Sequence, residues 1–241
     1  MSIEIVGLSC RGRQGYGLSR ITLRVATGDG CVLVGPNGSG KSLLLAVLAG
    51  LARPSAGSVT VNGFDLVRQT SQARRAVGYA SQWPAGFSGL TVQEHLSFLA
   101  RCHGQGSAQR RESVATILEV VGLQEAARLE AAALTPGQQR RLALAGALVH
   151  NPPVLLLDTP FAGLDPVARE EMLEVLKEVR ALGSTVLLAA DRPAEVLALC
   201  GQAAALEGGE LRWQGPAADL PYEFGGSLLV EASPQPPLLG R

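Results

Sequence analysis

The chain has 241 residues, and its 21 lysines and arginines balance 21 aspartates and glutamates, so no net field favours nucleic acid or an anionic membrane surface as a partner. Hydrophobic residues make up 46% of it and mean hydropathy is +0.19, yet no uninterrupted apolar stretch approaches the roughly 18 to 20 residues that cross a bilayer. The four cysteines and three histidines lack the spacing of a zinc site or a disulfide scaffold, and the cysteines are expected as buried thiols.

The N-terminus, Met1-Ser2-Ile3-Glu4-Ile5, has no basic segment followed by an apolar one, so a cytoplasmic location is expected. From Ser2 to Gly63 the pattern is short and alternating, in Ile3 to Val6, Ile21 to Val25 and Ser58 to Val61, which predicts an antiparallel sheet layer. Cys31-Val32-Leu33-Val34 interrupts it as an unbroken apolar run entering a glycine-rich turn, with Leu43 to Leu48 beyond. That is the pattern of a buried strand feeding a helix, and it places the turn at a strand's C-terminal edge, where α/β sheets bind ligands.

Between Gly89 and about His150 strand signals give way to three helical segments, an inserted helical lobe. The first opens with a capping box, Thr91-Val92-Gln93-Glu94, and ends near Gly104; the second runs from about Ala108 to Val121. Val154 to Asp158 is then an apolar strand with an acidic tip, Pro166 opens a helix reaching Leu182-Gly183, and Thr185 to Ala190 is another buried strand. The last residues, 233–241, are proline-rich and without periodicity, which predicts an extended or mobile end. The fold class expected is α/β: a core with a mixed sheet, an N-terminal antiparallel β layer and the helical insertion.

The glycine-rich turn, Gly35-Pro36-Asn37-Gly38-Ser39-Gly40-Lys41-Ser42, fits G-x-x-x-x-G-K-[ST]. Its glycines let backbone N–H groups wrap phosphates, while Lys41 meets the β/γ-phosphates and Ser42 the magnesium. Asp158 at the strand tip supplies a carboxylate that can hold the metal through water. Phosphate loop and acidic tip together indicate a Mg-ATP site built from Gly35, Pro36, Asn37, Gly38, Ser39, Gly40, Lys41, Ser42 and the following Leu43.

The order of motifs resembles the ATP-binding domains of ABC transporters from Ile3 to about Leu220. Gly35 to Ser42 is similar to the family's phosphate loop. Gln82, after Val77-Gly78-Tyr79-Ala80-Ser81, looks like its Q-loop, Leu134-Thr135-Pro136-Gly137-Gln138 like its signature, and Ala162-Gly163-Leu164-Asp165 like its D-loop. Gly89-Leu90-Thr91-Val92 resembles the start of the lobe in export-type relatives. The resemblance implies an ATP-binding domain over 1–220, with the lobe at about 88–150 inserted, and an extension over 221–241. It also implies catalytic roles for Lys41, Gln82 and Asp158, magnesium contacts for Ser42, Gln82 and Asp158, and contacts from Thr135, Gly137 and Gln138 to nucleotide on a facing subunit. The partners it implies are a membrane-spanning transporter subunit, docked near Gln82 at the inner face of the membrane, and a second ATPase subunit. A regulatory ATP-binding module of the same family is the alternative.

The sequence departs from that pattern at four places. Where the resemblance expects a water-polarising glutamate after Asp158, the chain has Thr159, and where it expects a γ-phosphate-touching histidine before Asp191, it has Ala190. Loss of a water-positioning group costs about 10²- to 10⁴-fold in rate, so own-site turnover is expected to be weak. Pro136 removes a backbone donor from the signature, and Gly12 aligns where an aromatic would stack on adenine, with Tyr16 as the possible substitute. A homodimer would carry every defect twice, so a heterodimer with an intact partner ATPase is expected.

Overall fold

The computed structural model describes residues 1–12, 17–82, 89–193 and 196–224. Two sheets form its frame. The first is antiparallel, in the order β2 (Gly17–Val25), β1 (Ile3–Arg11), β4 (Ala56–Val61), β5 (Phe64–Asp65). The second runs β10 (Glu210–Pro216), β9 (Gln202–Glu207), β3 (Gly30–Val34), β8 (Thr185–Ala189), β7 (Val154–Asp158), β6 (Val77–Ala80). It is parallel from β9 to β6, with β10 antiparallel to β9, so the mixed sheet and the separate antiparallel layer are both present.

The central strands are apolar without a break because both faces of their sheet are covered. Along β7, Val154 and Leu156 enter the core shared with the antiparallel sheet, while Leu155 and Leu157 enter the core on the helical side. Along β3, Cys31 and Leu33 face the first core and Val32 and Val34 the second. α1 (Lys41–Leu48) lies in the first core through Leu44, Leu45, Val47 and Leu48. The second core is closed by α5 (Pro136–Leu148), α6 (Pro166–Ala181) and the helices between β6 and β7. A short α2 (Thr70–Arg75) precedes β6.

Those intervening helices are α3 (Val92–Cys102), α4 (Ser107–Val120) and α5. α3 begins with the expected capping box: the Glu94 N–H donates to Thr91 Oγ1 at 3.2 Å, and the Thr91 N–H donates to Glu94 Oε2 at 2.9 Å. Each side chain satisfies a backbone donor that the helix start would leave unpaired. α5 has a second capping box, from Thr135 and Gln138.

The cysteine expectation needs one correction. Cys10, Cys31 and Cys200 are buried, but Cys102 is exposed, because it sits in the last turn of α3 on the face away from the core that holds Val92, Leu96 and Ala100. His95 is buried, and His103 stacks on His150 with ring centroids 3.5 Å apart, a packing role for all three.

The lobe meets the sheet at Gly78 of β6, where a Cβ would lie 2.1 Å from the Ala147 carbonyl oxygen and 2.7 Å from Pro152 Cγ. Only a bare Cα lets α5 approach this closely. Gly78→Ala is therefore expected to destabilise the chain by about 1 to 3 kcal/mol, the usual range for overpacking, seen as a lower urea midpoint with an unchanged slope.

Candidate functional site

The parallel sheet sets the order of the site. β3, β8, β7 and β6 are neighbours, and each ends at the same edge in a chemistry-bearing residue or loop. Along that edge come the Gly35–Ser42 loop after β3, Asp191 after β8, Asp158 at the tip of β7, and Gln82 after β6.

Strand β3 turns into α1 through a backbone that depends on glycine. Gly35 has φ 136°, and a Cβ there would stand 2.0 Å from the Leu206 carbonyl oxygen. The loop is braced from the β9–β10 turn, where the Gly209 N–H donates to Ser39 O at 3.1 Å. Lys41, 6% exposed, curls back into the loop: its Nζ donates to Gly35 O at 2.7 Å and Pro36 O at 3.2 Å, and Asp191 Oδ1 lies 3.7 Å away.

The loop walls a cleft of about 550 Å³ whose lining includes Asn37, Gly38, Ser39, Gly40, Lys41, Ser42, Leu43 and Gln82, with Gly12, Thr159 and Asp191. Asn37 to Leu43 and Gln82 thus share one cleft, while Gly35 and Pro36 meet it only through their carbonyls on Lys41. Asp158 stands behind the wall, 4% exposed. Burial pushes its carboxyl above the ordinary carboxylate range, against the opposing pull of a hydrogen bond from Ser42 and the charge of Lys41. Ser39 Oγ, Asp158 Oδ1 and Thr159 Oγ1 are buried without a hydrogen-bond partner. Buried oxygens of this kind are rare unless a ligand, metal or water completes them. The Ser42 hydroxyl and the Asp158 carboxylate are hard oxygen donors, the chemistry magnesium prefers.

Thr159 has φ 49°, a left-handed conformation that is an outlier for a β-branched residue. Its N–H is tied to Ala189 O at 3.1 Å, so the end of β7 is held to β8, and Thr159 lines the cleft with its hydroxyl oxygen buried. Ala190, 7% exposed, has its N–H on Leu33 O at 3.1 Å. Neither position offers a carboxylate or an imidazole. A second cavity of about 430 Å³ lies beside them, lined by Thr159, Ala190, Asp191, Phe161 and Leu164 among others.

Thr135, Gly137 and Gln138 do not join this cleft. The Thr135 N–H donates to Gln138 Oε1 at 3.0 Å and the Gln138 N–H to Thr135 Oγ1 at 3.3 Å, so both side chains serve the start of α5. A Cβ on Gly137 would meet only Leu164 Cδ2 at 3.8 Å, an ordinary contact, so the fold itself does not demand glycine there. Asp165 caps α6 by accepting from the Val167 and Ala168 N–H groups, both at 3.0 Å. Gly12 lines the cleft without offering a ring, and Tyr16 lies outside the described residues.

Two residues emerge from the geometry that the motif reading passes over. Arg140 of α5 donates from Nη1 to the Gln82 carbonyl at 2.6 Å, fastening the helical lobe to the segment after β6. Asp191 lines the cleft and approaches Lys41. Its signal, an acidic residue just beyond an apolar strand, is the one that marks Asp158.

A family described as ABC transporter matches residues 18–162. The linearmycin resistance ATP-binding protein LnrL of Bacillus subtilis is 31% identical over 211 residues, which cover 88% of this chain and 68% of that protein. A Nod factor export ATP-binding protein I, from Paraburkholderia xenovorans, is 36% identical over 217 residues, 90% of this chain and 71% of its own. Among solved structures, an ATP-binding subunit of an ABC transporter superposes with a TM-score of 0.85 at 28% identity, covering 96% of this chain and 99% of that one.

Ionised Asp158 is a cost to the ligand-free fold. Its folded pKa lies above the ordinary 3.8, so the native state binds more protons than the unfolded chain between those values, and stability falls as pH rises through that window. Asp158→Asn is therefore expected to raise the melting temperature of the nucleotide-free protein at neutral pH. The gain should shrink as pH is lowered toward 3.8, and calorimetry across pH checks it.

Proposed function

Because the chain belongs to the ABC transporter family as one of its ATP-binding domains, we propose that it binds Mg-ATP in the Gly35–Ser42 cleft, docks on a membrane-spanning transporter subunit, and hydrolyses ATP only slowly at its own site. The observation that carries this reading is a mismatch at one edge of the sheet. The phosphate loop is complete and buried oxygens beside it lack partners, yet Thr159 in the cleft and Ala190 in the adjoining cavity supply neither a base nor an imidazole.

Binding comes from the backbone. The loop N–H groups and the start of α1 favour an anion, and Lys41 can exchange the Gly35 and Pro36 carbonyls for β- and γ-phosphate oxygens. Ser42, Asp158 and Gln82 would hold the magnesium, which when bound neutralises charge on the phosphates. These contacts hold ground state and transition state nearly alike, so they supply affinity more than rate.

The remaining parts act between subunits. Thr135, Gly137 and Gln138 lie outside their own cleft, and Gly137 has no internal reason to be glycine, which supports a role for the start of α5 against nucleotide on a facing subunit. A partner ATPase with its own glutamate and histidine would use this chain's signature for a working site, so a heterodimer is proposed over a homodimer. Among the described residues no helix is long and apolar enough to cross a membrane. Attachment to the inner face would therefore run through the membrane subunit, and the Arg140 bond to Gln82 supplies a mechanical link from lobe to cleft.

The test is ATP affinity and turnover of the purified chain beside a Thr159→Glu, Ala190→His double variant. The cavity of about 430 Å³ next to both positions gives the longer side chains room. Expected is tight Mg-dependent binding in both proteins, with turnover raised about 10²-fold or more in the variant. Rapid turnover by the unaltered chain, at the family's ordinary rates, would show that nothing catalytic is missing.

A further inference from the structure

The mismatch at Thr159 and Ala190 leaves a specific opening. Among the described residues, only Thr159 and Asp191 line both the nucleotide cleft and the neighbouring cavity. Both volumes therefore border a buried hydroxyl without a partner and a half-exposed carboxylate. Sheet order explains the position. β8 lies between β3, which carries the phosphate loop, and β7, which carries Asp158. A residue just past β8 therefore stands between the loop's lysine and the metal-side carboxylate, the region a terminal phosphate would reach.

We propose that Asp191 is the catalytic carboxylate of this chain's slow hydrolysis, holding the attacking water together with the Thr159 hydroxyl at the junction of the two cavities. The inference rests on the reading that the cleft binds Mg-ATP. In the ligand-free chain Asp191 Oδ1 lies 3.7 Å from Lys41 Nζ. When triphosphate draws the ammonium away, the carboxylate loses its cationic neighbour and turns its lone pairs to water entering from the second cavity. The water oxygen forms a bond to the γ-phosphorus, and the bond from that phosphorus to the β–γ bridging oxygen breaks. The water proton passes to the Asp191 carboxylate, ADP carries away the bridging electron pair, and the proton is returned to the departing phosphate or to solvent. Thr159 Oγ1, buried and unsatisfied, gains the partner that buried hydroxyls normally have.

Other carboxylates fit this role less well. Asp158 accepts from the Ser42 hydroxyl, Asp165 Oδ1 accepts both N–H groups at the start of α6, and neither residue lines the two cavities. An imidazole in place of Ala190 would partly fill the second cavity, whereas alanine leaves the route to Asp191 open.

The experiment uses the full chain and measures two quantities separately: ATP affinity by equilibrium dialysis with labelled ATP, and phosphate release in single turnover with protein in excess. Asp191→Asn is expected to lower turnover about 10²-fold while ATP affinity holds or tightens, because a negative charge beside the triphosphate has been removed. Asp191→Glu should keep a measurable part of the activity, and Thr159→Val, which keeps the shape and removes the hydroxyl, should lower turnover about 5- to 10-fold. Turnover unchanged in Asp191→Asn, turnover and affinity falling together, or no phosphate release by the unaltered chain above a protein-free control would each overturn the assignment. Failure of the unaltered chain to bind ATP would appear in the dialysis alone and would remove the functional reading itself.

Discussion

A buried cation organises the functional edge of this protein. Lys41 is 6% exposed, and an ammonium so far from water stays charged only where hydrogen bonds and an opposite charge replace its hydration. The Gly35 and Pro36 carbonyls and the Asp191 carboxylate supply them. That requirement fixes the curl of the loop, and the curl requires Gly35, whose Cα lies against the Leu206 carbonyl in β9 with no room for a side chain. The neighbouring strand β9 thereby helps to set the phosphate loop.

Much of this was legible because the decisive features are local. An unbroken apolar run, a glycine loop ending in Lys41-Ser42, and a second apolar run tipped by Asp158 each report on a few consecutive residues, and the parallel sheet then brings them to one edge. The capping box at Thr91 was readable for the same reason, as reciprocal bonding needs only the spacing of Thr91 and Glu94. The β9–β10 pair was not legible. Ala203, Ala204 and Ala205 carry little strand propensity, and β9 is a strand through its pairing with β3 and β10, a tertiary cause. The relation of Asp191 to Lys41 was hidden for a similar reason: 150 residues separate them in sequence, and only the β3–β8 pairing brings them together. The exposure of Cys102 likewise depends on which face of α3 meets the core.

The two capping boxes illustrate how one local device serves different ends. At Thr91 it starts a helix whose inner face, through Val92, Leu96 and Ala100, is core, so its role is accounted for by folding. At Thr135 the same device closes the side chains of Thr135 and Gln138 on themselves, leaving Pro136 and Gly137 as the outer surface of the helix start. Pro136 suits the first turn on conformational grounds and removes an N–H there. The helix gains a rigid beginning, and under the proposed contact with nucleotide on a facing subunit the same residue leaves one donor fewer.

The division between backbone and side chain explains why the site combines a complete phosphate loop with an altered reaction side. The loop is made of main-chain geometry: changing Gly35 disturbs β9, and changing Lys41 leaves two loop carbonyls without their donor, so binding and folding share the same atoms. Thr159 and Ala190 stand at strand tips, where their backbone N–H groups are already committed to Ala189 and Leu33 and their side chains border open cavities. Ala190 also packs in the core on the helical side and the Thr159 hydroxyl is buried, so room for other side chains lies toward the cavity that both positions line. Thr159 even holds a left-handed φ that a threonine tolerates poorly, which shows that the β7–β8 register, rather than the preference of the residue, sets the backbone there. Substitution at such tips can change the rate of chemistry while leaving the architecture, the cleft and its affinity in place.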